Sequence, residues 1–304
     1  MRPTLRQLQY LVAVSETGRF NEAAKRVNVS QPSLSAQIAD VEQQLGVQLV
    51  ERGRKGALMT PMGEEFVRRA KRILRDVEDL KFAMQTENDA LVGRVRLGVV
   101  PSIGPYLLPT VVSDLHRSYP NLRLMIQEQW ADELDRGLLD GALDCAISTP
   151  ERHPSLAHAR LFEEPLWVCA APDDPLRGQG PVTADALKGR ELLSVGKGGA
   201  LRETVEHLAE IAGAKASGIF SGTSLDAIRH MAATGAGVAI LPAIYAIAEA
   251  RRDADLVLRP LAHPDAKREV ALVWRQTSPL IKTYEAMAEI LRADAEAILA
   301  QPFA

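Results

Sequence analysis

The sequence predicts an α+β protein built from several domains. Residues 1–60 combine a helical spacing of apolar side chains with a basic, glycine-rich turn. Residues 61–90 repeat an apolar residue every three or four positions, and residues 91–304 alternate strand-like with helical segments. A chain of 304 residues, 46% of them hydrophobic and 25% charged, is long enough to give two or three modules their own cores. We therefore expect a helical head, a long linker helix and a pair of α/β subdomains.

The head is predicted to contain three helices. The first runs from about residue 5 to Gly18, and the second covers residues 21–27. The third begins after Ser30, a good N-cap residue, and ends at Gly46. Its buried face is predicted to carry Leu34, Ile38, Val41 and Leu45. The three-residue connection between the second and third helices is typical of a helix-turn-helix.

The other face of the third helix is short, polar and uncharged, which suits an approach to base edges in DNA. We predict base contacts from Gln31, Pro32, Ser33, Ser35 and Gln37. Two glycines then bracket a basic turn, which predicts a wing with Arg52, Arg54 and Lys55 on the phosphate backbone. An amphipathic helix and a solvated loop would each explain one of these features alone. Together they favour a winged helix-turn-helix.

The linker helix is predicted to begin at the Thr60-Pro61 pair and to carry a heptad repeat. Its apolar positions are Phe66, Ala70, Ile73, Val77, Leu80 and Met84. Such a narrow stripe favours a coiled coil with a second copy of the chain, which would pair two DNA-reading helices. The alternative is a helix that packs on its own chain.

Charge and cysteine content limit the possible functions. Residues 1–60 hold eight Lys and Arg against five Asp and Glu, whereas residues 91–304 hold 22 against 27, so only the head is basic enough to favour phosphate. The two cysteines, Cys145 and Cys169, lie in apolar runs and indicate buried thiols, not a disulfide framework. No signal peptide and no stretch of ~20 apolar residues is present, which predicts a cytoplasmic protein.

The C-terminal half alternates predicted strands and helices. Strands are predicted at residues 94–100, 122–128, 143–149, 166–171, 191–195, 218–222, 238–242 and 269–274. Helices are predicted at residues 107–116, 131–139, 201–212, 225–233 and 279–299. Two α/β units joined by two crossings imply a hinged cleft, the architecture of periplasmic-binding-protein-like folds. The predicted domains are 1–60, 61–90 and 91–304, the last divided into about 91–163 plus 268–304 and about 164–267.

Several motifs resemble those of the LysR-type transcriptional regulators. The motifs are Ala23-Ala24, Ser30-Gln31-Pro32-Ser33-Leu34-Ser35, Gln37-Ile38, Leu45-Gly46, Leu49-Val50-Glu51-Arg52 and Thr60-Pro61-x-Gly63. The resemblance covers the whole chain and implies a homodimer or homotetramer that binds double-stranded promoter DNA, contacts RNA polymerase and responds to a small-molecule effector. The expected mechanism is allosteric, because a change in the cleft would alter the spacing of the paired DNA-reading helices.

Within that family, the C-terminal half is most similar to the peroxide-sensing OxyR branch. The similar motifs are 104–109 (GPYLLP), Leu143-Asp144-Cys145, Phe162-x-Glu164-Pro165, Thr223-Ser224-Leu225 and Leu241-Pro242. The resemblance places alanines, Ala200 and Ala209, where OxyR has its sensing and resolving cysteines, and alanine cannot do thiolate chemistry. An alternative is an OxyR-like oxidative-stress regulator that uses Cys145 or Cys169.

The effector site is predicted between the two subdomains. The predicted contacts are Ser102, Ile103, Gln129, Trp130, Thr149, Lys197, Gly198, Gly199, Ala200 and Thr223. Backbone N–H groups at residues 197–199, with a lysine beside them, suit a small organic anion, and Trp130 suits a planar ligand. The alternative is that the glycines only form a tight turn and that Trp130 packs on a neighbour.

Other classes of protein fit less well. The six histidines form no metal-ligand spacing and no Gly-x-Ser-x-Gly elbow is present, so neither an enzyme nor a metal or cofactor is predicted. A transport-type solute receptor would share the cleft but would have no use for the basic head. We expect no membrane partner.

Overall fold

The computed structural model describes residues 3–53, 56–83, 93–195, 200–218, 224–250 and 256–300. The side chains of residues 52, 79, 81–83, 93, 249 and 250 lie outside the described set. Contacts divide the chain into two units, Met1–Asn88 with Leu139–Ala142 and Asp89–Leu138 with Leu143–Ala304. Of the helices described, none is long and apolar enough to cross a membrane.

The first unit contains three short helices, a hairpin and a long helix. The elements are α1 (Leu5–Thr17), α2 (Phe20–Arg26), α3 (Gln31–Leu45), β1 (Val50–Gly53), β2 (Gly56–Met59) and α4 (Pro61–Ala83). The Ser30 hydroxyl accepts a hydrogen bond from the backbone N–H of Ser33, and Gly46 ends α3 in the left-handed conformation. The connection between α2 and α3 has four residues, 27–30, one more than predicted because α2 ends at Arg26. It is short enough for a helix-turn-helix.

The buried face of α3 is shorter than the sequence indicated. Leu34, Ile38 and Val41 are at most 1% exposed and pack with α1 and α2, but Leu45 is 44% exposed. The prediction for Leu45 was wrong because the helix continues about one turn beyond Val41, past the surface that covers it. Helical spacing gives the direction of a side chain and not the extent of the neighbouring surface.

The heptad positions of α4 face two different surroundings. Ala70 and its neighbour Val67 are buried, and Phe66 packs partly on the same core, so the first turns of α4 lie against their own chain. Ile73 and Leu80 are 42% and 59% exposed, and Val77 is half-buried. Met84 lies outside the described residues. The apolar positions that remain open to a second chain are therefore in the second half of the helix.

The second unit is built on a mixed sheet. Its main strands are β3 (Gly93–Val99), β4 (Leu122–Glu128), β5 (Cys145–Ser148), β6 (Ala157–Ala170), β7 (Val182–Thr183), β8 (Glu191–Leu193), β9 (Lys215–Ala216), β10 (Val238–Pro242), β11 (Val257–Ala262) and β12 (Lys267–Trp274). The order along the described residues is β4-β3-β5-β12-β6-β10-β8-β9, with β11 on β6 and β7 on β11. Each half is parallel at its outer edge, and β12 and β6 run antiparallel to their neighbours in the middle.

Strand β6 belongs to both halves of the sheet. Residues 157–165 pair with β12, and residues 166–170 pair with β10 and β11. The sequence analysis detected only residues 166–171 of this strand, because the preceding residues include charges and a proline that hide the alternation. The strand predicted at residues 218–222 lies, apart from Gly218, outside the described residues; the described pairing with β8 is made by Lys215 and Ala216.

Helices cover the sheet and create two separate cores. The helices are α5 (Gly104–Ser118), α6 (Ala131–Leu139), α7 (Ala200–Ala212), α8 (Leu225–Ala233), α9 (Ala243–Ala250) and α10 (Ile281–Leu299). One core contains β3, β5 and β12 with α5 and α10, and the other contains β8 and β10 with α7 and α8. Tyr106 packs partly against both, and its ring meets that of Tyr245 edge-on at a centroid distance of 5.2 Å. A cleft between the halves follows from this division.

Candidate functional sites

The start of α3 presents a polar surface that could enter a DNA groove. Gln31, Pro32, Ser33 and Gln37 are exposed, whereas Ser35 is half-buried. Alanine at position 36 also faces solvent and places no bulk between Ser33 and Gln37. Of the predicted base contacts, four are thus accessible along one surface, and Ser35 is the least accessible.

The hairpin β1–β2 has the position of a wing and is fixed to α3 through a carboxylate. One oxygen of Glu42, Oε1, accepts hydrogen bonds from the backbone N–H groups of Leu49 (2.7 Å) and Val50 (2.9 Å). The other strand is attached to the end of α1, because the N–H of Ala57 donates to the carbonyl of Gly18 at 2.8 Å. The side chain of Arg52 and all of Arg54 and Lys55 lie outside the described residues.

A small cavity lies between the two cores of the second unit. Its volume is about 30 Å³, and four of the predicted effector residues line it: Ser102, Trp130, Thr149 and Ala200. Gln129 lines an open groove of about 380 Å³ that shares Trp130 with the cavity. Ile103, the residue before α5, is fully buried in the first core and does not face the cavity. Lys197, Gly198, Gly199 and Thr223 lie outside the described residues.

The cavity also contains a buried ion pair that the sequence analysis missed. Arg268 lines the cavity, and its Nε donates to Glu164 Oε2 at 2.7 Å while its Nη1 donates to the hydroxyl of Ser102 at 2.9 Å. The Nη2 atom is 2.6 Å from the same carboxylate, although it lacks hydrogen-bond geometry. The Glu164 side chain is 0% exposed, and its Oε1 accepts from the backbone N–H of Ile244 at 3.0 Å. The cation in the cavity is therefore already neutralised.

Arg152 links the two sides of the cavity. Its guanidinium contacts Glu203 of α7 at 2.6 Å and Asp132 of α6 at 3.1 Å. The first residues of these helices, Ala131 and Ala200, both line the cavity. A change in the cavity that moves either helix would thus strain this contact.

A serine, a histidine and an aspartate are hydrogen-bonded in a line in the second unit, but the serine hydroxyl is buried. The ring nitrogens of His153 lie 3.1 Å from Asp135 Oδ1 and 3.0 Å from Ser148 Oγ. The His153 side chain and Ser148 are both 0% exposed, so no substrate reaches the hydroxyl. In the described ranges, no three metal-ligating side chains are arranged to hold an ion.

The two thiols lie in separate cores. Cys145 belongs to the core of β3, β5 and β12, Cys169 belongs to the other core, and neither forms a disulfide. Burial raises the pKa of the Cys145 thiol well above its ordinary value, and the neighbouring Asp144 raises it further. The thiolate that reacts with oxidants is therefore strongly disfavoured at Cys145.

Comparisons with known proteins identify the family of both halves of the chain. Residues 5–64 match the model of the bacterial regulatory helix-turn-helix protein, lysR family, and residues 88–296 match that of the LysR substrate binding domain. The chain is 37% identical over 289 residues to a hydrogen peroxide-inducible genes activator of Pectobacterium carotovorum subsp. carotovorum, which covers 95% of each sequence. This relative is a gene activator.

Two solved structures share the fold over nearly the full length. A full-length OxyR variant from Pseudomonas aeruginosa matches with a TM-score of 0.76 and 31% identity, over 96% of this chain and 98% of that one. The H2O2-bound form of a cysteine-to-serine OxyR mutant from Corynebacterium glutamicum matches with a TM-score of 0.66 and 29% identity, over 99% and 96%. This chain therefore belongs to the LysR family of DNA-binding transcriptional regulators and is similar to its OxyR members.

Proposed function

We propose that this protein is a homo-oligomeric regulator that controls transcription in an oxidative-stress response. The observation that carries the proposal is its 37% identity, over 95% of the chain, to a hydrogen peroxide-inducible genes activator. The similarity favours this function over the organic-anion effector that the sequence analysis preferred. It extends through both the helix-turn-helix and the regulatory half.

The DNA-binding part of the proposal rests on α3 and the wing. Gln31, Ser33 and Gln37 would read base edges, and the basic turn at residues 52–55 would contact phosphates. Two heads would be joined through the exposed apolar positions Ile73 and Leu80 of α4. We propose residues 1–60, 61–90 and 91–304 as the functional domains, and RNA polymerase as a partner of the DNA-bound oligomer.

The cavity is better suited to a small uncharged ligand than to a carboxylate. A volume of about 30 Å³ is roughly twice that needed for one water molecule, so a molecule of two heavy atoms such as hydrogen peroxide would fit. Ser102 and Thr149 provide hydroxyl groups, and Arg268 provides buried N–H donors. An organic anion would gain little from Arg268, since the buried carboxylate of Glu164 already balances that charge.

We propose that the response does not require the OxyR pair of redox cysteines. Positions 200 and 209 are alanines here, and the H2O2-bound cysteine-to-serine mutant of C. glutamicum OxyR supports peroxide binding to this fold with a cysteine replaced. The second route is oxidation of Cys145 or Cys169. Burial of both thiols argues against it, and the raised pKa of Cys145 argues further against that residue.

The effect of ligand binding would be transmitted to the DNA-binding heads through the helices that border the cavity. Occupation of the cavity would press on Ala131 and Ala200, the first residues of α6 and α7, and so on the two carboxylates that Arg152 holds together. The resulting shift between the halves would change the spacing of the paired heads. Two recognition helices must match two half-sites, so a small change of spacing alters DNA affinity or bending.

The test compares DNA footprints with and without hydrogen peroxide on DNA from upstream of the protein's own gene. The full chain would be used as wild type, as the Cys145→Ser/Cys169→Ser double variant and as Ala200→Val, which fills the cavity. Ala293→Val, at an exposed position of α10, is the matched control. We expect wild type, double variant and control to respond and Ala200→Val to lose the response.

Any different outcome would identify which part of the proposal is wrong. Loss of the response in the double variant alone would assign sensing to the thiols. A protein that ignores peroxide but responds to small carboxylates would restore the organic-anion hypothesis. Failure to bind DNA at all would refute the proposed function.

A further inference from the structure

We infer that Gln7, which lies in α1 outside the recognition helix, fixes the side-chain amide of Gln37 and so decides which base edge Gln37 can read. The inference rests on the proposed role of Gln37 in base contact. Gln7 is 2% exposed, whereas Gln37 is exposed on the DNA-facing side of α3. A buried side chain would thus determine specificity without touching DNA.

The amide of Gln7 has a single favourable orientation. Its Oε1 accepts from the backbone N–H of Thr4 at 2.9 Å and from the Thr4 hydroxyl at 3.2 Å. Its Nε2 donates to Gln37 Oε1 at 3.2 Å and to Asp40 Oδ2 at 3.0 Å. A flipped amide would place N–H against N–H at Thr4 and oxygen against the carboxylate of Asp40. Both ends therefore select the same orientation.

Asp40 strengthens this arrangement. Its second oxygen, Oδ1, accepts from Gln44 Nε2 at 2.7 Å, so the carboxylate is held between two glutamines of which only one contacts Gln37. A hydrogen bond to a carboxylate is stronger than one between neutral groups. Gln7 is therefore anchored at Asp40 and at Thr4, and the contact with Gln37 follows from those anchors.

The consequence for DNA reading comes from the direction of the Gln7–Gln37 bond. Gln37 Oε1 points towards Gln7 and uses one of its two lone pairs there, so the NH2 donor on the other side of the Gln37 amide is turned away from Gln7. A free glutamine reads adenine with its oxygen and nitrogen together, whereas a donor alone suits the acceptors of guanine (N7 and O6) or thymine (O4). The geometry thus points to a preference for an acceptor edge at the base pair that Gln37 contacts.

The test measures base preference at every position of the operator for full-length variants. Gln7→Met keeps the volume but removes the hydrogen bonds. Gln44→Met is the matched control, because Gln44 also donates to Asp40 but lies two helical turns from Gln37. We expect Gln7→Met to reduce discrimination by about 10-fold at one base pair and to admit adenine there. Affinity for non-specific DNA and its salt dependence should not change, nor should Gln44→Met relax that position.

A double-mutant cycle separates positioning from a general structural effect. If Gln7 acts through Gln37, then Gln37→Ala relaxes the same base pair, and adding Gln7→Met to Gln37→Ala has no further effect on preference. Gln7→Glu combined with Asp40→Asn provides a second variant, because Asp40→Asn removes the carboxylate that would repel a glutamate at position 7. The carboxylate at position 7 would attract the NH2 of Gln37 and turn its oxygen outward, which favours a donor edge such as the cytosine N4 amine.

Three results would overturn the inference. They are a uniform loss of affinity in Gln7→Met with every base preference retained, relaxation at a base pair other than the one affected by Gln37→Ala, and further relaxation when Gln7→Met is added to Gln37→Ala. If Gln7→Met does not fold, a base preference in the Gln7→Glu/Asp40→Asn double variant that equals that of Asp40→Asn alone would overturn it instead. Wild-type protein that prefers no sequence at all would instead contradict the proposed function.

Discussion

Replacing Arg268 by methionine would leave the carboxylate of Glu164 in a site that water does not reach. Glu164 is 0% exposed, and after the substitution its only remaining hydrogen-bond donor recorded in the described chain would be the backbone N–H of Ile244. Removal of one partner from a buried ion pair costs roughly 3–5 kcal/mol, since the other charge stays buried without compensation. We expect Arg268→Met to lower the free energy of unfolding of the regulatory half by that amount.

A second substitution should reverse much of this loss. Glu164→Gln in the Arg268→Met background removes the charge and keeps an oxygen that can accept from Ile244. The double variant should regain about 2 kcal/mol or more, because the penalty comes from the unpaired charge and not from the lost contact. Arg160→Met is the control, since Arg160 is 57% exposed and its ion pairs with Glu163 and Glu269 have distances of 3.6 Å and 3.9 Å.

Tryptophan fluorescence during urea unfolding measures these changes in the free energy of unfolding for the second unit, which contains the ion pair. All three tryptophans, Trp130, Trp167 and Trp274, belong to the unit that holds the ion pair, so the signal does not report on the head. The reasoning would be refuted if Arg268→Met cost less than about 1 kcal/mol, or if Glu164→Gln restored nothing in its background.

Three further predictions follow from single contacts. Gly63→Ala should lower the free energy of unfolding of the head by about 1–3 kcal/mol, because the added Cβ would lie 2.0 Å from the carbonyl oxygen of Leu49. Glu42→Ala should weaken binding to every DNA sequence, because the N–H groups of Leu49 and Val50 lose their acceptor and the wing loosens. Native Cys145 should resist iodoacetamide up to pH 9, because burial raises the pKa of its thiol. Stability should then fall as the pH rises above the thiol's ordinary pKa, about 8.5, because only the unfolded chain loses the proton there.

Each of these predictions has a control. Gly46→Ala tests a glycine that needs its positive φ but meets no neighbouring atom, which separates conformational strain from a clash at Gly63. Glu42→Gln keeps the acceptor and should bind DNA nearly as wild type. Cys145 in urea should react faster as the pH rises, and a native thiol that behaved in the same way would contradict the burial argument.

The elements that the sequence predicted best are those with local signals. The predicted bounds of the helix at residues 225–233 agree with the structure at both ends, and Ser224 is its N-cap residue. The predicted bounds of the strands at residues 122–128 and 238–242 also agree at both ends, because turn residues or charges lie on either side of these short apolar runs. Periodicity and capping act within one turn or one strand, so a single sequence is enough to detect them.

The parts that the sequence did not predict depend on partners far away in the chain. Glu164 and Arg268 are 104 residues apart, and neither position alone indicates a buried ion pair. In the sequence, Gln7 is indistinguishable from any other polar residue of α1. Only the packing of α1 on α3 brings it to Gln37. The first half of β6 was missed because its charges and proline hide the alternation, and its partner β12, which would have indicated a strand, comes about a hundred residues later.

The unbroken course of β6 limits how the regulatory half can deform. Apart from a register shift at Leu161, β6 pairs with β12 along residues 157–165, and it pairs with β10 and β11 along residues 166–170. Such a strand resists stretching and slippage, because either would break several hydrogen bonds at once. Twisting about the strand axis keeps those bonds and only redistributes backbone torsion. β6 would thus resist stretching along its length but allow twisting about its axis. Ligand binding in the cavity would then be transmitted as a rotation of one half of the sheet against the other.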